Sequence, residues 1–248
     1  MLAKIILTLQ NSGNYGMEIS SLLHGVLMET IRPEYAEKLH SKSINPFSQY
    51  ILPRENTLDW IIAVSSEEAK NEIFDAFLNE KMKTVYLKHK KSTLEIIDKR
   101  TEYYPYKHLI KDTVFTDCSR IVTVSFLTPA AFKVSGRYQF FPTVEHIFKS
   151  LINRHDCISE RTEIFSEDIL DNINDYVEIV GYKLRSTKFY LEGTAIPSFI
   201  GSITIRISGP KPFVNLINML LKYGEYSGVG IKTGMGMGAI NVKQKERR

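Results

Sequence analysis

The chain has 248 residues but only two cysteines, Cys118 and Cys157. Two cysteines cannot build a disulfide framework or a four-thiolate zinc site. No apolar run reaches the ~18 residues that a membrane helix needs. The opening MLAKIILTLQNSG lacks the small-residue cleavage site of a secretory leader. These absences lead to the expectation of a cytoplasmic protein with no membrane association, metal or cofactor. Glycine (14) and proline (nine) are too few for collagen-like or low-complexity chains. With 43% hydrophobic and 24% charged residues, the composition is globular rather than disordered. The acidic run SEDILDNIND has neither the glycine nor the terminal glutamate of an EF-hand. No histidine or carboxylate pair has zinc spacing.

The net charge of +4 is modest, but its distribution is uneven. Tyr182 to Arg248 carries 11 Lys+Arg against 3 Asp+Glu, a net of +8, and the remainder is −4. A basic third of this kind suits an anionic partner such as nucleic acid. The plainer alternative is a basic tail that aids solubility.

Hydrophobic periodicity divides the chain into two similar halves. Ile5, Leu7 and Leu9 alternate as a strand. Ile19, Leu23, Val26, Leu27 and Thr30 form a helical stripe within 18–32. PEYAEKLH reads as a short helix with Pro33 in its first turn, and SINPF as a loop. LDWIIAVSS is a strand, EEAKNEIFDAFLNE a helix, and TVYLKHK with STLEIID a hairpin across His89–Lys91. The polar, aromatic segment 101–116 is the expected linker. A second set follows: strand RIVTVSFLTP, helices PTVEHIFKSLINR and SEDILDNINDYVEIV, strands GYKLRSTKFYLEG and SFIGSITIRISGP, helix KPFVNLINMLLKYG ending at Gly224, and strand GAINVK. The order fits an α+β chain of two tandem ferredoxin-like (RRM-like, βαββαβ) domains, expected at 1–117 and 118–248.

The densest local signal is GEYSGVGIKTGMGMG, which holds six of the 14 glycines around Lys232. It is neither a P-loop nor a dinucleotide fingerprint, because it follows a helix and lacks both spacings. Glycines free of side-chain bulk let backbone N–H groups approach a phosphate. On that reading Gly228, Gly230, Lys232, Gly234 and Gly236 contact RNA. The alternative is a turn between a helix and a final strand. Lys183, Arg185 and Lys188, interleaved with Tyr182 and Phe189, are further RNA-binding candidates.

The same glycine-rich segment resembles the C-terminal motif of the RAMP superfamily. More closely, the chain is similar to the CRISPR repeat-processing endoribonucleases, the sixth CRISPR-associated protein family. SSLLHGVLMETI, EKLHSKSINPFS, FLTPAAFK, FFPTVEHIFKSL and GYKLRSTKFYLEGTAIPSFIGSITI occur in that family's order, and they resemble members encoded beside type III-A effector complexes. The resemblance implies two ferredoxin-like domains. It also implies metal-independent cleavage of CRISPR precursor RNA within its repeats. The 2′-hydroxyl attacks the adjacent phosphate, leaving 2′,3′-cyclic phosphate and 5′-hydroxyl ends. Repeat RNA is then the partner, with type III-A effector subunits as transient partners. The oligomeric state stays open between monomer and homodimer, and a non-catalytic RNA-binding or scaffold subunit is the competing reading.

Such chemistry needs a base, an acid and a cation for the phosphorane charge. Of six histidines, only His40 falls in the position the family uses, at the end of a short helix whose dipole favours the imidazolium. It is the expected general acid. Relatives place a tyrosine in the register of Met28. His24, one turn earlier, is the expected replacement base, with a structural histidine as its alternative. Tyr35 is a weaker base candidate. Lys42 is the expected charge-stabilising cation, since Asn45 occupies the register of a relative's lysine.

Overall fold

The computed structural model describes residues 1–158 and 164–245. The first half runs β1 (Leu2–Gln10), α1 (Ser20–Thr30), α2 (Pro33–His40), β2 (Phe47–Pro53), β3 (Thr57–Val64), α3 (Glu67–Phe77), β4 (Thr84–Leu87) and β5 (Ser92–Tyr104). Its strands pair antiparallel in the order β2-β3-β1-β5-β4. Alternation places Ile5, Leu7 and Leu9 inside, where they pack against Leu23 and Leu27 of α1. Ser66 caps α3 by accepting from the Ala69 N–H, with Glu67 and Glu68 in the first turn.

The second half follows as α4 (Tyr106–Val114), β6 (Ile121–Ala130), β7 (Phe132–Val134), β8 (Arg137–Gln139), α5 (Val144–Ile158), α6 (Glu167–Tyr176), β9 (Val177–Leu191), β10 (Thr194–Ile207), α7 (Lys211–Ser227) and β11 (Ile240–Gln244). Its main sheet has the order β11-β6-β10-β9, again antiparallel. Removing the edge strand β4 from the first sheet leaves the same strand order in both halves. The α+β, tandem ferredoxin-like expectation therefore describes the fold.

Several local readings change. Strand β2 is an addition: the sequence pattern places its first residue, Phe47, in the SINPF loop and assigns no element to the rest, where Ser48 and Gln49 interrupt the apolar pattern. Both are buried, and both spend their polar groups across the interface between the halves. The expected linker is not irregular: residues 101–104 finish β5, and α4 follows. Leu109 of α4 packs in the second core, with Tyr106 and Ile110 against it. A division at 117/118 would leave this helix with the wrong half. The acidic helix ends at Tyr176, so VEIV belongs to β9. Helix α7 continues past Gly224 to Ser227 and stops at Gly228, whose φ is +69°. Gly224 instead admits Leu151 and Ile240, each of which would lie 2.8 Å from a Cβ there. Among the described residues no helix is long and apolar enough to cross a membrane.

Candidate active site between the two halves

His40 is the last residue of α2, and the chain turns immediately into Ser41–Asn45. His24 stands in the middle of α1. The glycine-rich segment leaves α7 and passes in front of both. The three elements enclose a cavity of about 350 Å³ lined by His24, His40, Lys42, Asn45, Arg154 and Lys232, among others. All three candidate catalytic residues therefore share one hollow, and the second half supplies its opposite wall.

The two histidines have different settings. His40 is exposed, at the negative end of the α2 dipole. His24 is stacked on Phe47, ring centroids 6.0 Å apart, and its Nδ1 is buried without a hydrogen-bond partner. Burial holds its pKa below the ordinary histidine value. The Gly234 backbone opposes that shift, while nearby His40 and Lys232 add to it. Burial thus favours the neutral imidazole, whose Nδ1 is unpaired and enclosed. Lys42 is exposed at the rim. Tyr35 is no base: its ring is buried in the first core, and burial raises its pKa.

The glycine-rich segment is more a packed strap than an open cradle. Val229 N donates to Gly238 O, Gly238 N to Pro129 O, and Ile231 N to Ala131 O, at 2.8–3.0 Å. A Cβ on Gly238, where φ is +69°, would lie 1.9 Å from Val229 O. Gly228 and Gly236 are likewise buried against protein and do not line the cavity. Gly234 lines it, and Gly230 lines a neighbouring cavity of about 640 Å³. Lys232 stands between these two glycines and lines both cavities. It is exposed and holds a left-handed φ of +56°, while its carbonyl accepts from Met235 N and Met237 N. A non-glycine residue held there is strained, which points to a required side-chain position.

Two devices fix the strap. Gln49 Nε2 donates to Ser20 O at 2.9 Å and to Gly234 O at 3.1 Å, and Gln49 Oε1 accepts from Trp60 Nε1. On the other side, α5 holds Gly230 by both of its backbone groups. Gly230 N donates to Ser150 Oγ at 2.8 Å, and Arg154 Nη2 donates to Gly230 O at 2.7 Å. Ser150 and Arg154 are four residues apart and share a helix face. The sequence reading missed both. A signal was available, because Arg154 interrupts the apolar stripe of Ile147, Phe148, Leu151 and Ile152.

The three cations on β9 lie elsewhere. Lys183 and Arg185 are exposed on this edge strand and do not line the cleft. Lys188 lines a separate shallow hollow with Phe140 and Tyr190. A third cleft cavity, of about 250 Å³, shares His24 and Met235 with the central one. It runs between α1, Tyr86 and His89 of the first half, and Leu191 and Glu192 at the β9–β10 turn. The three hollows adjoin through shared walls, Arg154 and Lys232 on one side and His24 and Met235 on the other. Among the described residues no group of three or more His, Cys, Asp or Glu side chains could hold a metal ion.

Comparison with known proteins agrees with this architecture. A profile of the CRISPR-associated endoribonuclease Cas6 family matches residues 124–240. The Mycobacterium tuberculosis CRISPR-associated endoribonuclease Cas6 is 33% identical over 222 residues, covering 89% of this chain and 70% of the relative. The Streptococcus thermophilus protein of that name is 27% identical over 249 residues, covering 98% and 99%. A Cas6 product complex superposes with a TM-score of 0.84 at 21% identity, over 98% of this chain and 100% of that one. Thermus thermophilus Cas6 superposes with a TM-score of 0.72 at 22% identity, over 98% of each chain. With a relative of this identity spanning most of both sequences, and the same fold in the solved structures, the chain belongs to the CRISPR-associated endoribonuclease Cas6 family.

Proposed function

We propose that the protein cleaves CRISPR precursor RNA within its repeats without a metal, by attack of a 2′-hydroxyl on the adjacent phosphate. The observation that carries this reading is the pairing of His24 and His40 in one cation-lined cavity. An imidazole that burial biases toward its neutral form and an exposed imidazole at a helix carboxyl end are suited to opposite proton transfers.

The steps balance as a transesterification. His24 takes the 2′-OH proton as the oxygen attacks phosphorus, forming the 2′,3′-cyclic phosphate. Lys232 and Lys42 offset the charge that builds on the non-bridging oxygens. His40 gives its proton to the departing 5′-oxygen, which leaves as a hydroxyl. Gly230 and Gly234 keep the strap backbone open to the RNA, and Lys183, Arg185 and Lys188 hold flanking phosphates on the β9 face. Type III-A effector subunits are then transient recipients of the processed RNA in the cytoplasm.

The test is end analysis of repeat RNA incubated with the protein in excess chelator. A 2′,3′-cyclic phosphate upstream and a 5′-hydroxyl downstream are expected. RNA carrying 2′-deoxyribose at the scissile position should resist cleavage, and its normal cleavage would remove the 2′-OH as nucleophile.

A further inference from the structure

Arg154 is a cleft residue whose setting the mechanism above leaves unexplained. It lies on the buried face of α5 with only 9% of its surface exposed. Among the described residues no carboxylate lies within ion-pairing distance of its guanidinium. Its Nη2 donates to the Gly230 carbonyl at 2.7 Å, and its Nε has no partner. Burial without a counterion pushes its pKa down to about 10, so it remains a cation at neutral pH. A buried charge is ordinarily paired, because taking it out of water costs several kcal/mol. A carbonyl oxygen supplies only a partial negative charge, so most of that cost stands.

Its position shows what kind of ligand it can meet. Arg154 lines the His24–His40 cavity and also the larger hollow along α5, so it stands at their junction. Lys232 lines both as well. The strap between Gly230 and Lys232 is anchored by the same guanidinium. Arg154 therefore belongs to the same cavity wall as His24, His40 and Lys232, while its Nη2 fixes the backbone that carries the second cation.

We infer that Arg154 is the counter-charge for the scissile phosphate: its free donors take a non-bridging oxygen of the phosphodiester held between His24 and His40. The guanidinium is held in place before RNA arrives, so charge stabilisation needs no reorganisation during the reaction. This rests on the transesterification reading, and it moves the main cationic role from Lys42, at the rim, to a residue of the second half.

The test separates phosphate contact from strap anchoring. Two RNAs with 2′-deoxyribose at the mapped scissile position are compared, one with the normal phosphate and one with a neutral methylphosphonate. Wild-type protein should bind the methylphosphonate RNA about tenfold more weakly, the loss expected of one charge-assisted hydrogen bond. Arg154→Met should show a difference at least about threefold smaller than wild type, the remainder coming from Lys232 and Lys42. Ser150→Ala loosens Gly230 but keeps the cation, so it should retain the wild-type difference. Should Arg154→Met fold poorly, Arg154→Gln replaces it, since it keeps a neutral donor toward the Gly230 carbonyl. A methylphosphonate loss in the Arg154 variant as large as in wild type overturns the inference, as does an insensitive wild type. Recovering the deoxy RNA after each titration separates the two readings: cut RNA overturns the transesterification, whereas intact RNA with an insensitive wild type overturns the phosphate contact alone.

Discussion

Gln49 and Gly234 meet across the boundary between the two halves: the Gln49 carboxamide, wholly buried, donates to the Gly234 carbonyl at 3.1 Å. Its other groups are engaged with Ser20 O and Trp60 Nε1. Gln49→Leu removes all three bonds and leaves buried groups unpaired. A loss of about 3 kcal/mol is expected, read as a lower urea midpoint, with cleavage falling because the strap is no longer fixed.

His40→Ala should slow single-turnover cleavage by about 10²–10⁴-fold, the usual worth of a general acid. Repeat-RNA affinity should change little, since donation to the leaving oxygen is made only in the transition state. A gel-shift titration beside a cleavage time course checks both. Loss of binding in parallel with cleavage would instead make His40 a binding residue.

The pH dependence should report His24. A general base must be neutral, so the rate should fall as pH drops through the His24 pKa, which burial places below the ordinary histidine value. The acid limb should therefore lie below about pH 6.5. His24→Ala should be slower at neutral pH and should lose that limb. An unchanged profile in His24→Ala would return the residue to a structural role.

Two glycines of the strap should respond oppositely. Gly238→Ala places a Cβ against Val229 O at a positive φ and should cost about 3 kcal/mol in thermal or urea unfolding. Gly234 has no positive φ, and its nearest contact would be Phe47 at 3.4 Å. Gly234→Ala should fold normally, and any defect should appear in RNA binding or cleavage.

Lys183→Gln with Arg185→Gln should weaken RNA binding without altering the cleavage rate of saturating RNA. If each contacts one phosphate, the slope of log affinity against log salt should shrink by about 0.7–0.9 per residue. An unchanged slope would remove β9 from the RNA-binding surface.

These cases also show what a sequence can carry. The alternation in Ile5, Leu7 and Leu9 and in Val122, Val124 and Phe126 is set by which face of a sheet meets a core, so the strands could be read directly. β2 could not, because Ser48 and Gln49 are buried for bonds to Tyr226 O and Gly234 O, groups about 180 positions away. The glycine count signalled a special backbone, but not its reason. Gly228, Gly236 and Gly238 are needed for close crossing of the protein by itself, and only part of the strap faces the cleft. Arg154 was hidden because its meaning depends on being buried with no carboxylate beside it among the described residues, which only packing reveals.

The candidate catalytic histidines and two of the cations share one cavity whose walls come from both halves. The first half brings His24 and His40, and the second brings Lys232 and Arg154. On the proposed chemistry neither half alone should cleave RNA: a chain that has folded only its first half would hold the proposed acid and base without the wall that brings Lys232 and Arg154.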